Sequence, residues 1–372
     1  MESIKKTYRS GVKNRIFHTA IYADTRLPDF GKGVVIIMKR KLVMVSIFVL
    51  LAACLAGCLQ KNNVEQKTEN AAHKISVVTT IFPPYDFVKA IGGENVEVTM
   101  LLSPGVESHS YEPTPQDIIK INESDLFIYV GGESDAWVEG IMDSMDQSVQ
   151  TMTLMDCVEV VEEEHVEGME EAHEEAEAHE EAEVHNDEHT ATEALDAEYD
   201  EHVWTSPKNA KLIVQKITEE LCRIEKENAA YYKENANAYL KELDMLDKEY
   251  EDVVANGKRK ELIFGDRFPF RYLVDAYGIS YYAAFPGCSS ETEPSAATVA
   301  FLTNKVREDK IPVVLYLELS NHKIADAIAE ATGTKTAMLH SCHNISKDEV
   351  GQGVTYLSLM RQNLEVLKGA LQ

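Results

Sequence analysis

The chain has 372 residues, a formal net charge of −27 and 44% hydrophobic residues. That length predicts about two domains at roughly 100–200 residues each, and the apolar share is enough for packed cores. So acidic a chain repels phosphate and attracts cations, which excludes nucleic acid as a partner.

From Met38 the sequence reads MKRKLVMVSIFVLLAACLAGC. Lys39, Arg40 and Lys41 form a basic region, and Leu42 to Ala53 an apolar one, the pattern of a secretory signal. The apolar run is short for a membrane span, although a plain membrane anchor is the competing reading. Leu55-Ala56-Gly57-Cys58 resembles a bacterial lipobox, which predicts lipidation at Cys58; Leu51-Ala52-Ala53-Cys54 fits less well because it shortens the apolar region. Residues 1–37 are neither apolar nor periodic, so Met38 is a candidate true start and 1–57 reads as a mis-started N-terminus plus signal peptide. Residues 58–73 are polar and read as a lipidated tether. The expected location is extracytoplasmic, lipid-anchored to the bacterial cell membrane. Disulfides are permitted there. Cys157, Cys222, Cys288 and Cys342 allow three complete pairings.

Apolar runs then alternate with helical patterns. ISVVTTI (75–81), VEVTMLL (96–102) and DLFIYV (125–130) read as strands, with a helix between the last two that starts at Thr114 and Pro115. The segment 206–256 has Ser206 and Pro207 as a start signal and apolar residues at helical spacing, which predicts two consecutive helices, the second long. Beyond Asn256-Gly257 the alternation resumes, with ELIFG (261–265), ISYYAAF (279–285), IPVVLYLEL (311–319) and KTAMLH (335–340) as strands. Helical patterns cover 298–307, 323–332 and 353 to the C-terminus, with Gly333 as a stop. The organisation is α/β: an N-terminal lobe at 74–205, a helical region at 206–256 and a C-terminal lobe at 257–372, each lobe with a parallel-type sheet flanked by helices.

The segment 159–201 departs from this. No Lys or Arg occurs between Lys120 and Lys208, and His165, His173, His179, His185 and His189 sit among glutamates and alanines. Such a composition buries too little surface to offset ordering entropy, so a disordered loop is expected. Only His185 and His189 are at i,i+4, and the HExxH zinc-protease pattern is absent. Imidazoles with carboxylates suggest a low-affinity collector of divalent cations. The alternative is a solvated acidic insertion with incidental histidines.

Two stretches flank it: PGVESHSYEPTPQD, with Glu107 and His109, and DEHVWTSPKNA, with His202. Together with VTTIFPPYDF and the ending GVTYLSLMRQN, they resemble the metal-binding lipoproteins of bacterial ABC importers, the zinc/manganese solute-binding family. The resemblance covers 74–372. It implies two α/β lobes joined by one long helix, with metal held in the cleft between them, and a His-rich loop between the first two metal histidines. By position it makes His109 the first ligand and His202 the second. The third, a His or Glu three residues before a Phe-x-Tyr motif, falls on Arg267, which offers no lone pair; Asp266 is adjacent. The fourth, an Asp, falls on His340 in LHSCH. The reading is therefore a site of His109, His202 and His340, with Glu107 or Asp266 supplying oxygen and His343 the rival to His340. Cys288 and Cys342 both fall in the second lobe, as a disulfide or with one as a thiolate ligand, the disulfide being preferred. Glu318 and His322 are read as structural.

Three histidines favour zinc over manganese, without excluding other divalent metals. The resemblance implies a monomer that hands its ion to an ABC permease and its ATPase, and no enzymatic activity. The rival readings are a surface metal-binding adhesin or sensor without transport, and a secreted zinc hydrolase with Glu107 as base.

Overall fold

The computed structural model describes residues 74–107, 111–142, 145–169, 198–289 and 293–372, all within the compact unit Ala71–Gln372. The signal segment, Cys54 and Cys58, His109, and His173, His179, His185 and His189 lie outside the described residues. No described helix is long and apolar enough to cross a membrane.

The first lobe runs β1 (Ile75–Thr79), α1 (Phe82–Gly92), β2 (Val96–Met100), α2 (Pro115–Asn122), β3 (Leu126–Tyr129), α3 (Trp137–Met142) and β4 (Gln150–Thr153). Two helices follow, α4 (Pro207–Ile224) and α5 (Ala229–Asn256). The second lobe runs β5 (Glu261–Phe268), α6 (Arg271–Tyr277), β6 (Ser280–Pro286), α7 (Ala296–Glu308), β7 (Val313–Tyr316), α8 (Lys323–Thr332), β8 (Lys335–Met338), α9 (Lys347–Gln352) and α10 (Tyr356–Ala370). Each lobe holds a four-stranded sheet, ordered β2-β1-β3-β4 in the first and β6-β5-β7-β8 in the second, with every pairing parallel. The two lobes thus repeat one topology. In each, the chain reverses its direction of travel beside the first strand, which leaves a crevice at the carboxyl ends of the strands.

The strand residues explain why both sheet faces are covered. Side chains alternate across a strand. Val77 enters the main core while Val78 packs with Ile121, Phe127 and Val138 on the opposite face. Leu262 and Phe264 likewise face the main core, and Ile263 packs with Leu302, Val314 and Ile328. Parallel sheets buried on both faces require such uninterrupted apolar runs.

The helices begin where the sequence signals. Thr114 and Asp117 form a reciprocal capping box ahead of Pro115, and the Ser206 hydroxyl accepts the N–H of Lys208 ahead of Pro207. Gly333, at φ +74°, ends α8 in the left-handed region that other residues enter at a cost. The 28 residues of α5 span roughly 40 Å at ~1.5 Å per residue. Tyr232, Ala236, Leu243, Leu246, Tyr250 and Val254 form its buried stripe, which joins the continuous core shared by both lobes. At the far end of the chain α10 packs on α5 and reaches back: the Tyr356 N–H donates to Asp86 on α1 at 2.9 Å, and its hydroxyl donates to the Trp204 carbonyl at 2.7 Å.

The expectation that 159–201 is disordered throughout needs correction at both ends. Glu162 and Tyr199 pair in an antiparallel bridge, and the N–H groups of Glu163 and Asp200 donate to the carbonyls of Glu198 and Val161. The Tyr272 hydroxyl accepts from Val161, and Glu164 pairs with Arg271. The stem of the insertion is therefore clipped shut and fastened to the second lobe. His165 sits on this stem, exposed.

Candidate metal centre

The carboxyl ends of the second sheet converge on a small cavity. It is lined by Val106 and Glu107 from the loop after β2, His202 and Arg267, Gly287 after β6, Glu318 after β7, and Ser341, His343 and Asn344 after β8. Its volume is about 30 Å³. That is room for an ion with a water, and far below the ~300–1,000 Å³ of sites for organic ligands.

His202 ends the clipped stem of the insertion and is fully buried. Its backbone N–H and its Nδ1 both meet Oδ1 of Asp200, at 2.8 and 3.2 Å. A carboxylate on one ring nitrogen fixes the tautomer and directs the other nitrogen outward, the usual support for a metal histidine. Burial disfavours the imidazolium, but Asp200, Glu201 and Glu163 outweigh it, and the His202 pKa is raised overall.

His343 is also buried and stands with its ring centroid 5.4 Å from that of His202. Trp204 packs edge-on against both imidazoles and donates its Nε1–H to the Ser341 carbonyl at 2.8 Å, so one fully buried side chain ties the two histidine loops together. Truncating a buried tryptophan of this kind costs about 3–5 kcal/mol. The first lobe is fastened to the same loop. The Phe82 N–H donates to the His343 carbonyl at 3.2 Å, the Gly105 N–H donates to Ile345, and the Asn344 amide donates to the carbonyls of Ser103 and Val106 at 2.8 Å each. These bonds hold Glu107 at the cavity.

Several sequence expectations are changed. His340 does not line the cavity. Its Nδ1 accepts the Cys342 N–H at 2.9 Å, its Nε2 stands 3.3 Å from Glu349, and Glu318 lies 3.6 Å from Nδ1. The hydrogen bond from His340, with support from Ser346, holds the Glu349 carboxyl down at about 2 against the opposing effect of burial. Cys342, at φ +62°, turns the backbone between His340 and His343 and sends the two rings to different surroundings. Asp266 does not line the cavity either, because its oxygens accept the N–H groups of Arg267 and Leu317. Cys288 and Cys342 are both free thiols, so the preferred disulfide is absent: Cys342 lies buried beneath His340, and Cys288 stands beside Glu201 and His202. Glu318 combines two roles, lining the cavity while its carboxylate accepts the N–H and hydroxyl of Ser341.

Arg267 occupies the position where the resemblance places a ligand. Its guanidinium donates to Glu107 at 3.0 Å and to the Ser289 carbonyl at 3.3 Å, so a cation at the cavity is neutralised by the acid opposite. The sequence reading missed Glu201. It is buried, its carboxylate accepts the N–H and hydroxyl of Ser134, and it forms with His202 and Cys288 a group whose donor atoms lie within 4.8 Å of one another. Burial and the nearby Glu201, Glu163 and Asp200 carboxylates push the Cys288 thiol far up. The one available signal for Glu201 was its place in the run DEH ahead of Val203.

Residues 77–370 match the family described as "Zinc-uptake complex component A periplasmic". The chain belongs to this ZnuA family. It is 34% identical over 333 residues to the high-affinity zinc uptake system protein ZnuA of Bacillus subtilis, which covers 88% of this chain and 96% of that one. The zinc-binding lipoprotein AdcA of Streptococcus pneumoniae is 30% identical over 307 residues, 81% of this chain but 56% of its own length. The Zn(II)-bound ZnuA-like domain of S. pneumoniae AdcA shares the fold with a TM-score of 0.64 and 28% identity, over 80% of this chain and 99% of that domain. ZnuA-family relatives are thus zinc-binding components of uptake systems, and the paired parallel-sheet lobes follow the family architecture.

Proposed function

We propose that this protein captures one zinc ion in the cavity between its lobes and passes it to an ABC permease driven by its ATPase. His202 and His343 supply two nitrogens, and His109, two residues beyond the Glu107 anchor, supplies the third. Zinc accepts three nitrogens plus water or a carboxylate, and Glu107 or Glu318 is the nearby oxygen source. The observation that carries this reading is the pair of buried imidazoles 5.4 Å apart in a cavity of ion size. Lipid at Cys58 tethers the chain outside the cell membrane, and the segment of His173, His179, His185 and His189 gathers cations weakly nearby. Release requires the ligands to part, which protonation of the histidines promotes.

A cavity of this size argues against the hydrolase reading, as does the pairing of Glu107, the base that reading names, with Arg267. The test is growth and zinc uptake under zinc starvation in cells lacking the protein. Loss of uptake, restored by the wild-type chain and not by a His202→Ala/His343→Ala double variant, is expected. Unchanged uptake would contradict transport.

A further inference from the structure

We infer that the ion bound at His202 is also held by the thiolate of Cys288, which takes the ligand role that Arg267 cannot fill. This inference rests on the zinc-binding reading above.

Glu201, His202 and Cys288 each offer one donor atom, and these atoms lie within 4.8 Å of one another; of the three His202 lines the cavity, and the other two adjoin it beside that imidazole. A tetrahedral zinc with bonds of ~2.0–2.3 Å needs donors about 3.5 Å apart, so the group closes on an ion with a shift of the order of 1 Å. A second observation concerns the turn that carries the cysteine. A Cβ on Gly287 would sit 2.9 Å from the Phe268 carbonyl and 3.3 Å from both His202 Cε1 and the Asp200 carboxylate. Glycine at this position lets the turn press against the imidazole and bring Cys288 beside it. The turn is then fixed from both sides: the Cys288 N–H donates to Glu163 at 3.1 Å, and Arg267 donates to the Ser289 carbonyl at 3.3 Å. The arginine that stands in the usual ligand position therefore braces the loop that supplies the replacement. Coordination forms one sulfur–metal bond and releases the thiol proton to solvent, leaving a softer site than histidine and carboxylate alone would make.

The test uses the full mature chain, reduced and free of oxygen, titrated with cobalt(II) as the probe. A near-ultraviolet sulfur-to-cobalt charge-transfer band that saturates at the first equivalent is expected. Cys288→Ser should abolish the band and weaken zinc binding by about tenfold or more, whereas Cys342→Ser should keep the band. One tightly bound cobalt without the band, or a band that survives Cys288→Ser, would overturn the inference while leaving the zinc-binding reading intact. Failure to retain any tight cobalt or zinc would defeat both. Independently of variants, X-ray absorption at the zinc edge on the wild-type chain loaded with one equivalent should show one sulfur neighbour at about 2.3 Å. A first coordination shell holding nitrogen and oxygen alone would also overturn it.

Discussion

The imidazoles of His202 and His343 face each other nearly edge to face, with centroids 5.4 Å apart and planes at 85°. They come from opposite sides of the long helical connection, and Trp204 holds both. If they share the ion, His202→Ala and His343→Ala should each weaken zinc affinity by at least about a hundredfold, more than changes beyond the ligands themselves usually cost. His340→Ala should leave affinity within about tenfold of wild type while lowering the melting temperature, because it strips partners from Glu349 and from the Cys342 N–H. Competition against a chromogenic chelator, with a thermal melt on each variant, separates the two outcomes.

Arg267 sets a positive charge at the cavity, balanced by Glu107. Arg267→His removes that charge and supplies a nitrogen, so zinc affinity should rise by about tenfold, roughly 1.4 kcal/mol. Glu107→Ala should do the reverse, because it leaves the guanidinium without its carboxylate partner. The same competition assay checks both signs.

Asp200 bonds Nδ1 and the backbone of His202. Asp200→Asn keeps the shape but withdraws the negative charge that makes the imidazole a stronger donor. Zinc affinity should fall by about ten- to a hundredfold with little change in melting temperature.

Asp86 lies where α1, α5 and α10 meet and is pushed up to about 6, chiefly by burial, against the pull of the Tyr356 N–H and the Tyr239 hydroxyl. The folded chain therefore binds this proton more tightly than the unfolded chain, whose aspartate titrates near 3.8. Stability should be highest below about pH 4 on this account, fall as pH rises through 4 to 6, and stay reduced above, by an amount of the order of 3 kcal/mol. Asp86→Asn should flatten that segment of the stability profile, as read by urea unfolding across pH.

The sequence made the lobes legible because buried parallel strands are uninterrupted apolar runs. β4 escaped notice because Gln150–Thr153 is a short edge strand with a single buried residue, Met152, and no such run. The ordered stem of the insertion escaped for another reason. Its acidic residues are held by partners distant in the chain, Arg271 for Glu164 and the Cys288 N–H for Glu163, and composition contains no record of those. The choice between His340 and His343 was closed to sequence as well. Three residues apart, they would share a face on a helix, but the left-handed turn at Cys342 separates them. Arg267 was visible as a departure; its pairing with Glu107 required the fold to bring two lobes together.

The most direct test is a crystal of the mature chain grown with zinc, with data collected at the zinc absorption edge. One strong anomalous peak within about 2.0–2.3 Å of a nitrogen of both His202 and His343 is the expected result. A peak bound to neither histidine, or separate peaks on each with no shared ion, would contradict the account.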